Sequence, residues 1–219
     1  MTASVRAAAL KISEIFLSLQ GESSRVGLPT VFVRLTGCPL RCVWCDTAYA
    51  FSGGQTMSLP AILAEVAHYE VAHVCVTGGE PLAQPACLRL LSELSDAGHA
   101  VSLETSGALD IGGIDARVKR IVDLKAPGSG EFARNRWQNL ALLTADDELK
   151  FVLKDRIDYE WARQLVVDRR LAAVCPLLFS PVAGELAAAT LAEWIVADRL
   201  PVRFQLQLHK VLWGTLRGR

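Results

Sequence analysis

Three cysteines stand close together in the first quarter of the chain, in the run Cys38-Pro-Leu-Arg-Cys42-Val-Trp-Cys45. Thiolates bind soft metal centres, and iron–sulfur clusters are held by cysteine thiolates, usually four of them. Three thiolates at this spacing can bind three corners of a [4Fe–4S] cluster and leave the fourth iron open to a small ligand. This loop is therefore a candidate iron–sulfur site.

Two other interpretations of the loop stay open on the residues alone. Cysteines can be small buried residues, which is the role predicted for Cys75, Cys87 and Cys175. Three thiolates can also form part of a zinc site, although a closed structural zinc site needs a further Cys or His and the loop contains none. Six cysteines in a cytosolic chain indicate metal or redox chemistry before disulfides.

The composition limits the classes of protein to which the chain can belong. With 219 residues, 51% of them hydrophobic, it can bury a substantial core. We predict a single domain over residues 1–219, with residues 1–11 as a flexible N-terminal tail. Lys+Arg and Asp+Glu balance at 23 each, which gives no chain-wide footprint for nucleic acid. No signal peptide or membrane-spanning segment is visible, so we expect a cytoplasmic protein without a membrane or nucleic-acid partner.

Short β-rich runs alternate with runs at helical spacing along most of the chain. We predict strands over residues 12–19, 30–36, 73–77, 100–105, 120–124, 148–154, 173–180 and 202–208. Helices are predicted over residues 59–69, 85–97, 135–144, 159–169 and 185–199, with Ser58 as the N-cap of the first. This alternation predicts an α/β fold. Because the units are too few for a closed eight-stranded barrel, we expect a partial, open parallel β/α barrel.

Glycine and polar residues cluster where the predicted strands end. They occupy residues 34–38, 77–80, 104–107, 123–125 and 180–181. In open and barrel-shaped α/β folds, ligands gather at the carboxyl ends of the parallel strands. The sequence therefore predicts that the cysteine loop and the other candidate residues meet at one edge of the sheet.

The C-x3-C-x2-C spacing, with Trp44 directly before the last cysteine, resembles the motif of the radical S-adenosylmethionine (SAM) superfamily. The resemblance implies that Cys38, Cys42 and Cys45 bind three irons of a [4Fe–4S] cluster, while the amino and carboxylate groups of SAM bind the remaining iron. One electron from the reduced cluster then cleaves SAM to methionine and a 5′-deoxyadenosyl radical. Trp44 would pack near the adenine of SAM; its alternative role is core packing.

Other strand ends fit the same superfamily. The run Thr77-Gly78-Gly79-Glu80 resembles its Gly-Gly-Glu motif, which implies that Gly79 contacts SAM; by itself the run would indicate a tight turn. Glu104 would bind the ribose or amino group of SAM, or else an arginine, since a buried carboxylate needs a partner. The resemblance further implies SAM contacts from Ser106, beside Glu104, and from three strand-end segments whose residues could alternatively be capping or turn elements: Asp123, Leu124 with Lys125, and Ser180.

A second set of residues narrows the resemblance to the 7-carboxy-7-deazaguanine synthases, a radical SAM family of queuosine and deazapurine biosynthesis. The matching segments are Leu19-Gln20-Gly21-Glu22, Arg34, Asp46-Thr47, Gln207-Leu208-His209-Lys210 and Trp213. The family often has glycine where Ser23 stands here. The resemblance implies that 6-carboxy-5,6,7,8-tetrahydropterin is converted to 7-carboxy-7-deazaguanine with loss of ammonia, while SAM is regenerated. It also implies a homodimer and a reducing electron donor such as a flavodoxin or a ferredoxin.

The residue chemistry suits such a substrate. Arg34 presents a planar fork of donors that matches a carboxylate, with a salt bridge to Glu22 or Asp46 as its alternative role. Gln20 carries both an amide donor and an acceptor, as the edge of a pterin requires. By resemblance, Thr47 helps to bind Mg²⁺ beside the substrate carboxylate. By the same resemblance, the substrate site also includes Leu19, Gly21, Glu22, Thr77 and His209.

Two other functions stay open on the sequence. A glycyl-radical-enzyme activase is also a small radical SAM enzyme with a C-x3-C-x2-C loop, but it has no need of residues that bind a pterin. A non-enzymatic zinc or iron–sulfur binding module would use the same cysteines, but it would leave the Gly-Gly-Glu strand end without a role. Metal content separates the module from the enzymes, and pterin binding separates the two enzymes.

Overall fold

The computed structural model describes residues 8–219 of the chain. The strands in this range are β1 (Ala9–Leu19), β2 (Pro29–Leu35), β3 (Gln55–Ser58), β4 (His73–Gly78), β5 (Ala100–Thr105), β6 (Lys119–Leu124), β7 (Glu148–Leu153), β8 (Leu177–Pro181) and β9 (Arg203–Phe204). They form one sheet in the order β3-β1-β2-β4-β5-β6-β7-β8-β9.

The sheet is parallel over most of its width. From β2 onward along this order, every neighbouring pair is parallel, whereas β1 pairs antiparallel with both β2 and β3. Among residues 8–219, the two edge strands β3 and β9 do not pair with each other, so the sheet stays open. The predicted partial, open parallel β/α barrel is therefore confirmed, with an antiparallel addition at one edge.

The outer face of the sheet is covered by α1 (Leu59–His68), α2 (Cys87–Asp96), α3 (Arg156–Asp168) and α4 (Ala188–Asp198). The short helix α5 (Leu208–Trp213) instead packs against the loop that follows β1. Ser58 caps α1 as predicted, because its hydroxyl accepts a hydrogen bond from the backbone N–H of Ala61. The first four helices bury apolar side chains in a common core, and the three cysteines outside the loop are buried as predicted: Cys75, Cys87 and Cys175.

Several predicted elements differ from the structure. The helix expected over residues 135–144 is only a 3-10 turn, Trp137–Leu142, whose buried Asn139 donates to two carbonyl oxygens of a neighbouring loop. The strand expected from residue 173 begins at Leu177, because Pro176 has no N–H to donate to a sheet. The short strand β3 was not predicted, since its four residues carry no apolar alternation.

The strand predicted over residues 202–208 was also wrong. β9 covers only Arg203–Phe204, after which the chain turns inward. The side chain of Gln205 then accepts a hydrogen bond from the N–H of Ser23 at 2.7 Å and donates one to its carbonyl oxygen at 2.8 Å. Leu208 begins α5, so His209 lies on a helix and not at the end of a strand.

The predicted N-terminal tail over residues 1–11 lies mostly outside the described residues. Residues 9–11, however, belong to β1 and pair with β3, so that part of the prediction was wrong. None of the helices formed by residues 8–219 combines the length and the apolar character that a bilayer crossing requires.

Candidate functional site

A cavity of about 650 Å³ opens at the carboxyl ends of the parallel strands. This volume falls in the range of about 300–1,000 Å³ typical of sites for small molecules. Most of the predicted site residues line it: Leu19, Gln20, Gly21, Glu22, Arg34, Cys38, Cys42, Trp44, Cys45, Thr47, Thr77, Gly79, Glu104, Ser106, Asp123, Lys125 and His209.

Two predicted residues do not line the cavity. The side chain of Leu124 belongs to the hydrophobic core, because alternate residues of β6 point to opposite faces and its neighbours Asp123 and Lys125 point into the cavity. Ser180 is fully buried in β8, and its hydroxyl has no hydrogen-bond partner among the described residues. The structure thus separates these two from the other members of the predicted SAM site.

The cysteine loop connects β2 to β3 and brings its three thiols to the cavity wall. The guanidinium of Arg41 steadies the loop by donating to the carbonyl oxygen of Cys38 at 2.8 Å and by stacking on the ring of Phe51. Burial raises the pKa of Cys38 and that of Cys42, the latter to about 11. Ligation to a metal would therefore be needed to keep these thiols ionised at neutral pH.

The donor set of the cysteine loop suits an iron–sulfur cluster. Cys38, Cys42 and Cys45 are free thiols that are only partly buried, and all three line the cavity. Cysteine thiolates are the ligands that hold such clusters. The loop therefore fits a cluster in its chemistry and in its position.

The glycine pair at the end of β4 allows a close approach of two backbones. The N–H of Gly79 donates to the carbonyl oxygen of Leu35, and a Cβ on Gly79 would lie only 2.2 Å from the carbonyl oxygen of Gly37. Gly78 has a φ of 155°, and a Cβ there would lie 2.4 Å from the same Leu35 oxygen. The two glycines therefore let β4 pack directly against the start of the cysteine loop.

Glu80 also fixes the strand ends beside the cysteine loop, a role that was not predicted from the sequence. The side chain is fully buried, and it accepts hydrogen bonds from the hydroxyl of Thr105 at 2.8 Å and from the backbone N–H and hydroxyl of Ser106 at 2.7 and 2.5 Å. A buried carboxylate is stabilised by several donors of this kind. The end of β5 is thereby fixed beside the cysteine loop.

The floor of the cavity comes from the opposite edge of the sheet. Leu19 at the end of β1 pairs with Pro29 at the start of β2, so the loop over residues 20–28 enters from the amino ends of the parallel strands. We call this segment the floor loop. Inside the barrel, Gln20 donates to Glu104 at 3.3 Å, and the hydroxyl of Thr77 donates to the other oxygen of Glu104 at 2.9 Å. Within the described residues, Glu104 thus has these two polar partners and no ion pair with an arginine.

A chain of charges runs along the cavity wall. Lys150 on β7 places its Nζ 2.5 Å from Glu22 and 3.5 Å from Asp123, and Lys125 places its Nζ 3.0 Å from the same oxygen of Asp123. Gln207 donates to the other oxygen of Glu22 at 2.7 Å. Lys150 was not predicted from the sequence; the available signal was a single charge inside an otherwise apolar strand interior.

The floor loop is fixed by contacts to the last part of the fold. Ser23 adopts a φ of 67°, a left-handed conformation that glycine takes without strain. Both of its backbone polar groups bond to Gln205, which holds it in this conformation. A Cβ on Gly21 would lie 2.3 Å from the ring of His209, so only glycine lets this helix residue pack so closely.

Arg34 is paired, but with a partner that was not predicted. Its Nε donates to Glu14 at 2.7 Å, rather than to Glu22 or Asp46, and the hydroxyl of Tyr49 donates to the same oxygen of Glu14. Burial raises the pKa of Tyr49 to about 12, so its hydroxyl remains a donor at neutral pH. Within residues 8–219, the two terminal nitrogens of Arg34 have no acceptor, so the fork can still bind a carboxylate.

Positive groups gather at the rim beside Thr47. Asp46 lies 3.0 Å from Lys210 and 3.9 Å from His209. Although burial acts in the opposite direction, these two neighbours hold the pKa of Asp46 well below its usual range. Residues 214–219 also line the cavity, and Arg217 stacks on the ring of Tyr49 with 4.0 Å between its guanidinium carbon and the ring centre.

Known proteins are similar to this chain in both sequence and fold. The Radical SAM superfamily model matches residues 32–167. The 7-carboxy-7-deazaguanine synthase of Chlorobaculum tepidum is 45% identical over 210 residues, covering 94% of this chain and 96% of that protein. The enzyme of the same name from Koribacter versatilis is 43% identical, covering 93% and 97%.

Among solved structures, QueE from Escherichia coli superposes with a TM-score of 0.73, covering 92% of this chain and 95% of that one. The two sequences are only 24% identical, so this likeness supports the fold alone. The sequence matches carry the finer assignment. The chain belongs to the radical SAM superfamily and, within it, to the 7-carboxy-7-deazaguanine synthase family.

Proposed function

We propose that this chain is a radical SAM lyase that converts 6-carboxy-5,6,7,8-tetrahydropterin to 7-carboxy-7-deazaguanine with loss of ammonia. One observation carries the proposal. The three loop thiols open onto the same cavity as a half-free guanidinium, Arg34, and a set of amide and carboxylate groups on the floor loop. A cluster site and a site for a polar, carboxylate-bearing heterocycle therefore share one enclosed space.

Cys38, Cys42 and Cys45 are the residues that would hold a [4Fe–4S] cluster, since all three face the cavity and no fourth cysteine lines it. When bound, the cluster supplies the electron that cleaves SAM, and SAM supplies a carbon radical that abstracts hydrogen from the substrate. The protein would contribute the orientation of these groups within one cavity. The hydrogen bonds of Gly79 and Glu80 hold the cysteine loop beside the ends of β4 and β5.

SAM would lie along the wall between the cysteine loop and β6. The N–H groups of Gly79 and Ser106 are bonded to Leu35 and Glu80, so their carbonyl oxygens are the backbone groups proposed for SAM there. Trp44 offers an aromatic face for the adenine. Asp123 and Lys125 offer a carboxylate and an ammonium for the amino acid part or the ribose of SAM. These contacts are proposed from position and chemistry.

The substrate would lie over the floor loop. The free end of the Arg34 fork suits its carboxylate, while Gln20, Glu22 and Thr77 present amide, carboxylate and hydroxyl groups toward the pterin edge. His209 lies at the same rim, packed on Gly21. The substrate site would thus combine one fixed positive charge with several hydrogen-bonding groups.

Mg²⁺ would lie between Thr47 and the substrate carboxylate. The hydroxyl of Thr47 lines the cavity close to Cys45, at 3.8 Å from its sulfur, and Asp46 stands beside it. Magnesium prefers oxygen ligands and retains several waters, so one protein hydroxyl with substrate oxygens is a reasonable set.

Two partners and a compartment complete the proposal. A flavodoxin or a ferredoxin would supply electrons near the loop, whose Val43 side chain is 71% exposed. Exposed apolar side chains on and after α5, at Val211, Leu212 and Leu216, would suit a homodimer contact. All six cysteines are free thiols, which suits the reducing cytoplasm.

An anaerobic assay tests the proposal. The reconstituted protein is given SAM, dithionite, Mg²⁺ and 6-carboxy-5,6,7,8-tetrahydropterin, and the products are identified by mass spectrometry. Formation of 7-carboxy-7-deazaguanine with catalytic SAM supports it. Cleavage of SAM to 5′-deoxyadenosine without any deazaguanine would keep the superfamily and refute the substrate.

A further inference from the structure

Lys150 is a buried cation in the cavity to which the proposed function gives no role. Every residue of its strand, β7, is buried, and the Lys150 side chain is only 11% exposed. Its Nζ lies 2.5 Å from Glu22 and 3.5 Å from Asp123. A buried ammonium is costly unless it is paired, and these two carboxylates supply the pairing. The effect of the cation on the two carboxylates is therefore the question.

Glu22 depends on this cation. The carboxylate is 7% exposed, and it has one further donor, the amide of Gln207 at 2.7 Å. Burial alone would raise the pKa of Glu22, but the charge of Lys150 and the hydrogen bonds to Gln207 and Lys150 lower it. Without the cation, the effect of burial would no longer be opposed by that charge, so the pKa of Glu22 would rise and the carboxyl would take up a proton more readily.

The protonation state of Glu22 decides what it can bind. An ionised carboxylate only accepts hydrogen bonds, whereas a protonated carboxyl must donate one. The amino-pyrimidine edge of a pterin presents neighbouring N–H donors. Such an edge is bound by an ionised carboxylate and is opposed by a carboxylic acid whose hydrogen faces it.

Lys150 also links the two halves of the cavity. Asp123, its second partner, belongs to the proposed SAM wall and is bound on its other side by Lys125. The charged groups that act on Lys150 include Glu22 from the floor loop, Asp123 from β6, Lys125 directly after β6 and, at longer range, Glu104 from β5. His209 of α5 also acts on Glu22.

We propose that Lys150 is a positioning residue that keeps Glu22 ionised and fixed for recognition of the N–H edge of the pterin. The proposal rests on the proposed function, because it takes the pterin as substrate. It adds a specificity-determining residue on β7, a strand from which no substrate contact was assigned. Lys150 acts through Glu22 and has no direct part in the chemistry.

The test measures substrate affinity as a function of pH. Wild type, Lys150→Met and Lys150→Arg are reconstituted anaerobically, and binding of 6-carboxy-5,6,7,8-tetrahydropterin is titrated without reductant, so that no turnover occurs. At about pH 7, Lys150→Met should bind at least about tenfold more weakly, as expected when a charged hydrogen-bond acceptor is lost. Its affinity should recover toward about pH 9, where a buried carboxyl without a cation ionises. Lys150→Arg should retain most of the affinity at every pH.

A double variant separates this role from general damage. If Lys150 acts through Glu22, Lys150→Met combined with Glu22→Gln should bind no more weakly than Glu22→Gln alone, and its affinity should not change as the pH rises. His209 is retained in every variant, so it does not distinguish one variant from another. Iron content and thermal unfolding show whether each variant is folded and loaded.

Two results would overturn the proposal: a Lys150→Met protein whose affinity matches the wild type at about pH 7, or one whose lower affinity does not change with pH. If Lys150→Met does not fold, Glu22→Gln alone decides, since binding as tight as wild type would remove Glu22 from recognition. Failure of the proposed function is separate, because it appears as wild-type protein that neither binds the pterin nor forms the deazaguanine.

Discussion

The floor loop divides the inside of the barrel into two regions, and both regions bury charged groups. Below it, at the amino ends of the strands, Glu148 is fully buried and accepts from the backbone N–H of Ser24 at 3.0 Å and from Lys119 at 3.0 Å. At the same end of the strands, but on the side of the sheet that faces the helices, Asp147 accepts from the backbone and guanidinium of Arg120 and from the backbone and hydroxyl of Thr144. Arg120 alternates along β6 with Ile121 and Asp123, which line the cavity, so its side chain points away from the cavity. These carboxylates have little remaining capacity for a ligand.

Above the floor loop, the charged groups keep part of their capacity. Arg34 uses one nitrogen on Glu14 and keeps two, and the three thiols of the cysteine loop face the cavity. The comparison shows that burial of charge does not by itself mark a functional site. The cavity differs from the buried carboxylates at the amino ends of the strands, Asp147 and Glu148, because it keeps donors and acceptors that the protein does not use.

The largest effect is expected from the loop thiols. Replacing Cys38, Cys42 or Cys45 by Ala should abolish cluster binding and turnover, because a cluster ligand is lost each time. Cys87→Ala is the matched control from the buried core, and it should keep its iron at a cost of about 1 kcal/mol in stability. Iron and sulfide analysis with the product assay measures both. A loop variant with full iron and normal turnover would contradict the assignment.

The next effect concerns the buried carboxylates at the amino ends of the strands. Asp147→Asn should lower the free energy of unfolding at neutral pH by about 3 kcal/mol, because it breaks a buried pair with Arg120. Substrate affinity should not change, since Asp147 lies outside the cavity. Denaturant unfolding and pterin titration measure the two quantities. A loss of substrate affinity without a loss of stability would show that Asp147 serves the cavity and not the stability of the fold, which contradicts the prediction.

The same variant has a defined pH dependence. Burial acts to raise the pKa of Asp147, but hydrogen bonds from Arg120 and Thr144 lower it overall. A lowered pKa adds stability above the ordinary carboxyl pKa of about 3.9, and this stability is lost as the pH falls through the lowered value. The difference in unfolding free energy between wild type and Asp147→Asn should therefore shrink below about pH 4.

Arg34→Ala should show the opposite behaviour to Asp147→Asn. Substrate binding should weaken by on the order of 1.5–3 kcal/mol, because a bidentate partner of the carboxylate is lost. Iron content should stay at the wild-type level. The substrate affinity of Arg34→Lys should lie between those of the wild type and Arg34→Ala, since lysine keeps the charge but not the planar fork of donors. Calorimetric titration with the carboxypterin measures the change, and unaltered affinity in Arg34→Ala would remove this residue from the site.

The smallest effect concerns Ser180, whose buried hydroxyl has no partner among the described residues. Ser180→Ala should raise the free energy of unfolding of the ligand-free protein by about 1 kcal/mol, since an unpaired buried hydroxyl is removed. Ser102→Ala is the control, because the hydroxyl of Ser102 donates to Val74 and its removal should destabilise. Weaker SAM binding by Ser180→Ala would support its predicted SAM contact, and unchanged SAM binding would count against it.

The sequence predicted the parts of the site that depend on local spacing. The cysteine loop and the glycine pair follow directly after strands, and the parallel sheet brings those strand ends together. The alternation of strands and helices likewise predicted the open barrel. Each of these inferences needs only neighbouring residues and a general property of parallel sheets.

The unpredicted parts depend on pairs that are far apart in the chain. Lys150 and Glu22 are 128 residues apart, and neither has a local feature that indicates the other. A salt bridge of Arg34 to Glu22 or Asp46 was the alternative to its predicted role in substrate binding, but β1 lies antiparallel beside β2 and brings Glu14 next to it. The inward turn at Gln205 replaced a predicted strand for the same reason, since its partner Ser23 is 182 residues earlier.

The bond between Gln205 and Ser23 has a consequence for biosynthesis on the ribosome. The floor loop is made early in translation. Strand β7 supplies some of its contacts, through Glu148 and Lys150, but Gln205 follows the strands β1 to β9. Contacts of such long sequence separation form late in folding. A nascent chain with eight strands already emerged would thus lack the bonds that hold Ser23 in its left-handed conformation. The floor of the cavity should accordingly be completed only when synthesis of the chain is nearly finished.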